Sequence, residues 1–99
     1  MNRQYFFELK LPATKSQAFM NLIPDQRAYI NDMLSDGSIL NYSVTEDLML
    51  VYCVIDAADD EEALEIIANM PLSAFMKVDM RPLMFYNSVA HREFSFSKN

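Results

Sequence analysis

The stretch LMLVYCVI, from Leu48 to Ile55, contains no charged residue. A strand with one face on a core and the other in water alternates apolar and polar side chains, whereas an unbroken apolar run is typical of a strand covered on both faces. The run therefore predicts an interior strand, with helices on one side of its sheet and a second layer on the other. The identity of that second layer decides the architecture.

Three further strands are predicted by period-two patterns around this run. Residues 4–11 alternate until Pro12 ends the pattern, residues 39–45 alternate next, and residues 77–86 alternate last. Glu46-Asp47 makes a short turn before the apolar run, so the second and third strands are expected to form a hairpin.

Two helices are expected in the remaining segments. Pro24 suits the first turn of a helix that ends at Gly37, and residues 16–22 form a helical turn ahead of it. Asp59 is expected to cap a second helix, which Pro71 ends. The element order is therefore β-α-β-β-α-β.

This order is the ferredoxin-like arrangement of an α+β domain: a four-stranded antiparallel sheet with strands one and three in the middle and both helices on one face. Residues 1–99 are expected to form a single domain of this kind. The other face, with Phe6 and half of strand three, would be wet in a monomer, and a chain of this size buries only about 60 to 65% of its unfolded surface. A second sheet is the expected cover, which predicts a homodimer, and residues 87–99 are expected to cross to a neighbouring subunit as an arm.

The composition excludes several kinds of site and partner. One Gly excludes glycine-rich nucleotide loops, one Cys excludes a disulfide framework or thiolate zinc site, and one His excludes an imidazole metal cage, so neither metal nor cofactor is expected. A net charge of −6 argues against a nucleic-acid partner. The apolar run is far shorter than the roughly 20 residues of a membrane span, and Glu8 and Lys10 interrupt any signal peptide, which predicts a cytoplasmic protein without a membrane partner.

Several motifs together resemble the muconolactone isomerase family. They are Lys10-Leu-Pro12, the segment from Asp25 to Gly37, Tyr52-Cys-Val-Ile-Asp56, and Pro71-Leu72 with Phe75-Met76 and Leu83. The resemblance implies a dimeric α+β barrel, in which two ferredoxin-like sheets face each other within a larger symmetric ring. It also implies a proton shift within an unsaturated lactone without metal or organic cofactor. The family's second strand carries His, Trp and Arg where this chain has Asn41-Tyr42-Ser43-Val44, so the cations implied for a lactone carboxylate are missing there.

A proton shift needs a base beside the acidic carbon and a donor for the developing enolate oxygen. Glu8 is the candidate base, because it lies among apolar neighbours in a central strand, where loss of water would raise the pKa of its carboxyl. The alternative is a structural Glu8 that pairs with Lys10 or with a cation on strand four. Tyr52 is the candidate donor, or else a core aromatic whose hydroxyl is hydrogen-bonded.

Four more residues are candidates for binding the ligand. Lys10 and Arg81 are expected on the same sheet face as Glu8, with the guanidinium of Arg81 gripping a carboxylate, and Asn41 and Ser43 join them from strand two. The alternative is an ion-pair network between two facing sheets.

His91 is the only residue with an unperturbed pKa near neutrality. Its polar tail favours a surface position, and it becomes a substrate-binding acid or base only if the arm folds over a neighbour's pocket. The sequence as a whole predicts a muconolactone isomerase-like protein that binds a small unsaturated acid or lactone, with isomerisation by proton transfer and C=C transposition as its candidate reaction. Two alternatives stay open: a non-catalytic ligand-binding or assembly module, and a cofactor-free oxidase.

Overall fold

A four-stranded antiparallel sheet with one face covered by helices makes up the protein, and the computed structural model describes it over residues 1–89. The elements are β1 (Arg3–Lys10), α1 (Gln17–Asn21), α2 (Ile23–Ser35), β2 (Ile39–Val44), β3 (Leu50–Ala57), α3 (Asp60–Ala68), a short 3-10 helix (Ser73–Phe75) and β4 (Lys77–Pro82). The strands lie in the order β2-β3-β1-β4. The predicted ferredoxin-like α+β fold is confirmed, with β1 and β3 in the middle.

The central strands are covered as the apolar run predicts. Val51, Cys53 and Ile55 of β3 point toward the helices and are at most 1% exposed. Val54 points to the other face and is still only 5% exposed. This second face, which carries no helix, is hereafter the open face.

The core lies between the helices and the sheet. Tyr5, Phe7 and Leu9 of β1 are completely buried in it, with α2 packed against β2 and α3 packed against β3. Full burial of one large apolar side chain stabilises the fold by about 1.5 to 3 kcal/mol, so these alternate residues fix which face of β1 meets the helices.

The helix ends follow local chemistry. Asp59 accepts a hydrogen bond from the backbone N–H of Glu62 at 2.8 Å, and the Glu62 carboxylate accepts one from the backbone N–H of Ala58 at 3.1 Å, which caps α3 at its first turn. Ser16 caps α1 in the same manner. Gly37 follows α2 with a φ of 82°, a conformation that favours glycine.

Two predicted strand boundaries are wrong. Leu48 lies in the hairpin turn with a φ of 62°, so β3 begins at Leu50. The fourth strand ends at Pro82, opposite Tyr5 of β1, instead of continuing to Tyr86.

The chain then crosses the open face. The backbone N–H of Leu83 donates to Gln4 at 2.8 Å, and the side-chain amide of Asn41 donates to the Tyr86 hydroxyl at 2.9 Å. Asn41 belongs to β2, at the opposite edge of the sheet from β4. Residues 83–86 therefore span the sheet of their own subunit. The predicted arm of residues 87–99 lies outside the described residues from position 90 onward, and so does His91.

Candidate functional site

The polar residues singled out in the sequence come together on the open face. Glu8 lies opposite Tyr52 on β3 and opposite Asp79 on β4, while Ser43 on β2 lies opposite Tyr52. Each of the four strands thus contributes one side chain to a row that crosses the sheet. Glu8 and Tyr52 are half-buried, whereas Ser43 and Asp79 are exposed.

The neighbouring rows hold the other candidates. Asn41 and Arg81 lie in a row whose middle positions are Val54 and Phe6, and Lys10 lies one row away on the far side of Glu8. The strand register places four candidates on one face of the sheet, as expected: Lys10, Asn41, Ser43 and Arg81. Their roles in binding stay predictions. The four residues are spread over the sheet, and Glu8, Lys10 and Asp79 line an open pocket of about 340 Å³ together with Lys77 and Val78.

Electrostatics couple the two central candidates. The pKa of Tyr52 is raised, first by its partial removal from water and then by the nearby charge of Glu8. Its ring also stacks on Phe6, with centroids 5.7 Å apart. The ion pair on this face joins Arg81 to Asp79 at 3.8 Å, and since both side chains are exposed it contributes little to stability. Glu8 forms no ion pair within residues 1–89, so the structural pairing with Lys10 is not present there.

A second site lies on the opposite side of the sheet, between α1, α2 and the strands. This helix-side cavity has a volume of about 340 Å³. Most of its lining is apolar, including Leu11, Phe19, Ile23, Val51, Leu72 and Met76. Its rim includes the exposed side chains of Met20, Val44 and Leu48. Leu48 lies in the hairpin turn, where its φ is positive.

Four polar side chains line the helix-side cavity: Lys15, Gln26, Arg27 and Tyr42. Gln26 donates from its amide nitrogen to the Tyr42 hydroxyl at 3.3 Å. Burial raises the pKa of Tyr42, which keeps the phenol protonated at neutral pH. The Lys15 ammonium donates to the backbone carbonyl of Pro12.

The cavity is suited to binding a small anion whose body is apolar. Its volume and apolar wall suit a ring compound of a few carbons, and Lys15 and Arg27 supply positive charge for a carboxylate. No carboxylate side chain lines it within residues 1–89. The same part of the chain holds no cluster of three His, Cys, Asp or Glu residues that suits a metal ion.

This cavity is not predicted by the sequence patterns. The sequence feature that points to the cavity is Gln26. This polar residue lies at the centre of the apolar stripe of α2, three positions after Ile23 and four before Ile30. A polar side chain on a buried stripe needs hydrogen-bond partners, and Gln26 has them in Tyr42 and Leu72. The partners lie 16 and 46 residues away, which only the fold reveals.

Comparisons with known proteins agree with this architecture. A family model described as muconolactone delta-isomerase matches residues 6–89. No curated protein matches the chain. Among solved structures, the uncharacterized protein TM1266 from Thermotoga maritima has the same fold, with a TM-score of 0.51 at 13% identity over 84% of this chain and 99% of that one. No helix within residues 1–89 is long and apolar enough to span a membrane.

Proposed function

The chain belongs to the muconolactone delta-isomerase family, and from that membership we propose that it binds a small unsaturated acid or lactone in the helix-side cavity. The observation that carries the proposal is the combination of an apolar wall with a neutral phenol and two cationic side chains. The double bond and ring of such a ligand would contact Leu11, Phe19 and their neighbours.

The polar ends of the ligand have complementary partners. A carboxylate is attracted to Lys15 and Arg27, and charge-assisted hydrogen bonds of this kind are roughly twice as strong as neutral ones. A lactone carbonyl accepts from the hydroxyl of Tyr42, a phenol whose pKa burial raises further above neutrality. These cations lie outside strand two and replace those that the family resemblance implies there.

Isomerisation is the second candidate function, and it is supported by the juxtaposition of Glu8 and Tyr52 on the open face. In this scheme the Glu8 carboxylate takes a proton from one carbon of the lactone, the double bond shifts as Tyr52 donates a hydrogen bond to the enolate oxygen, and Glu8 returns the proton to another carbon. One C–H bond breaks and one forms, so the ring is isomerised without oxidation. The helix-side cavity offers a donor but no carboxylate base within the described chain, which favours binding without turnover there.

The two candidates are separated by one set of titrations. We expect muconolactone to bind the wild-type protein and to bind about ten- to a hundredfold more weakly to Arg27→Met, because a charged hydrogen bond contributes about 1.5 to 3 kcal/mol. Arg3→Met, which removes an exposed arginine outside the cavity, is the matched control. Equal affinities for all three proteins would contradict binding in the cavity. Turnover that Glu8→Gln abolishes would instead establish the open face as a catalytic site.

A second copy of the chain is the partner we propose for the open face. Proteins of this family are oligomeric. The stacked rings of Phe6 and Tyr52 lie on this face half-buried, and Met84 and Phe85 next to it are 103% and 76% exposed. Two sheets packed face to face would remove these groups from water. Sedimentation that shows a folded single chain at micromolar concentration would overturn this assembly.

A further inference from the structure

Apart from the hydroxyl of Tyr5, the buried polar side chain within residues 1–89 is that of Gln26, with 4% of its surface exposed. Burial of an amide costs free energy unless its donors and acceptor are paired. Both ends of this amide are paired, and the two partners come from different parts of the fold. The two hydrogen bonds therefore fix which end of the Gln26 amide faces each partner.

The orientation of the amide is fixed by a backbone group. The N–H of Leu72 lies 3.0 Å from Oε1 of Gln26, and since a backbone N–H only donates, the oxygen must face it. The amide nitrogen then faces Tyr42, 3.3 Å from the hydroxyl oxygen. Gln26 is consequently the donor and Tyr42 the acceptor.

An accepting phenol keeps its own hydrogen for another partner. The oxygen of Tyr42 receives the Gln26 donor through a lone pair, so its O–H is left to turn toward the helix-side cavity that both residues line. In the reverse arrangement the phenol would donate to the protein, and the cavity would meet only its lone pairs. The direction of one amide thus decides whether the cavity presents a donor or an acceptor.

We propose that Gln26 is a positioning residue that aims the Tyr42 hydroxyl, as a hydrogen-bond donor, at a carbonyl oxygen of the ligand. This inference rests on the proposed function for the ligand, but the direction of the Gln26 to Tyr42 hydrogen bond is testable without one. The proposed role of Gln26 also predicts which ligands the cavity prefers. A lactone or another carbonyl compound is favoured over an analogue in which the carbonyl is replaced by a methylene group.

The test without ligand is a pH titration of the Tyr42 phenol, monitored by NMR on protein labelled at the tyrosine ring. A donor to the phenol oxygen lowers the pKa of Tyr42, so Gln26→Leu is expected to raise it. Gln26→Glu keeps an acceptor for the Leu72 N–H but places a carboxylate beside the phenol, and it is expected to raise the pKa further. Should Gln26→Leu fail to fold, Gln26→Met, which also removes the amide donor, carries the test, because a carboxylate raises the pKa whichever way the hydrogen bond runs. An unchanged or lowered pKa of Tyr42 would overturn the inference.

The test with ligand is a double-mutant cycle with muconolactone as the probe. Gln26→Leu and Tyr42→Phe are each expected to weaken binding about three- to tenfold, and the double variant to bind no more weakly than Tyr42→Phe alone. Equal losses from Gln26→Leu in both backgrounds would mean a merely structural role and overturn the inference. A wild-type protein that does not bind muconolactone, with the pKa of Tyr42 responding as expected, would overturn the proposed function and the ligand role of Gln26 while leaving the hydrogen-bond direction established.

Discussion

Asn41 and Tyr86 are hydrogen-bonded at 2.9 Å, although Asn41 lies on one edge strand and Tyr86 follows the other. The connection from β4 therefore crosses the open face before the chain passes position 86. Val54, which pairs with Asn41 on this face, is only 5% exposed. The segment occupies part of the surface that a second sheet would otherwise cover.

The crossing segment should loosen when its anchor is removed. Tyr86→Phe deletes the hydroxyl that accepts from Asn41, and an exposed hydrogen bond of this kind contributes about 0.5 to 1 kcal/mol. We expect amide hydrogen exchange at Leu83 to become about threefold faster. Met84→Ala alters a fully exposed side chain of the same segment and serves as the control. Unchanged exchange at Leu83 in Tyr86→Phe would show that the anchor does not hold the segment.

The charge of Glu8 should be visible in the ionisation of Tyr52. Part of the raised pKa of Tyr52 comes from this carboxylate, after the larger effect of lost water. Glu8→Gln is therefore expected to lower the pKa of Tyr52 without returning it to its ordinary value, as measured by absorbance or NMR titration. Asp79→Asn changes the carboxylate on the other side of Glu8 and should leave Tyr52 unaffected. Equal responses to both variants would argue against a specific Glu8–Tyr52 pair.

A buried and a half-buried tyrosine should respond oppositely to loss of their hydroxyls. Tyr5 is completely buried and its hydroxyl forms no hydrogen bond within residues 1–89, although burial and then the nearby Asp60 carboxylate raise the pKa of its phenol. The Tyr29 hydroxyl donates to the Ile66 carbonyl at 2.7 Å. An unpaired buried polar group costs about 1 kcal/mol or more. Tyr5→Phe is expected to raise the free energy of unfolding by about 1 kcal/mol, and Tyr29→Phe to lower it by a similar amount. Urea denaturation checks both, and a loss of stability in Tyr5→Phe would mean that its hydroxyl is paired in solution.

Alkaline pH should destabilise the protein partly through Cys53. Burial raises the pKa of this thiol to about 12, while an unfolded thiol ionises near pH 8.5. Between these values the folded state keeps a proton that the unfolded state releases, so the free energy of unfolding falls as the pH rises, by about 1.4 kcal/mol per pH unit. Cys53→Ala is expected to show a shallower fall between pH 9 and 10. Parallel slopes for the two proteins would contradict the raised pKa.

Local patterns predict the elements of this fold well because they act over a few residues. The unbroken apolar run identifies β3 as a central strand, and Asp59 and Gly37 mark helix ends through hydrogen bonding and backbone conformation. The alternation in β1 places Glu8 opposite the buried face. These features need no knowledge of distant partners.

Features that depend on distant partners were not predictable. The fourth strand stops at Pro82, and Tyr86 beyond it is hydrogen-bonded to Asn41 on the far edge of the sheet, which the alternation of residues 77–86 does not indicate. The helix-side cavity forms where α2, β2 and the loop at Leu72 meet, and no single segment carries its pattern. The residues that line it were therefore overlooked in favour of the charged residues of the open face.

The most direct measurement is a titration of methyl-labelled protein with muconolactone, observed by NMR. Binding in the helix-side cavity is expected to shift the methyl signals of Leu11, Leu72 and Met76, while those of Leu50 and Val54 on the open face stay in place. Shifts confined to Leu50 and Val54 would contradict the account, as would a spectrum that muconolactone leaves unchanged.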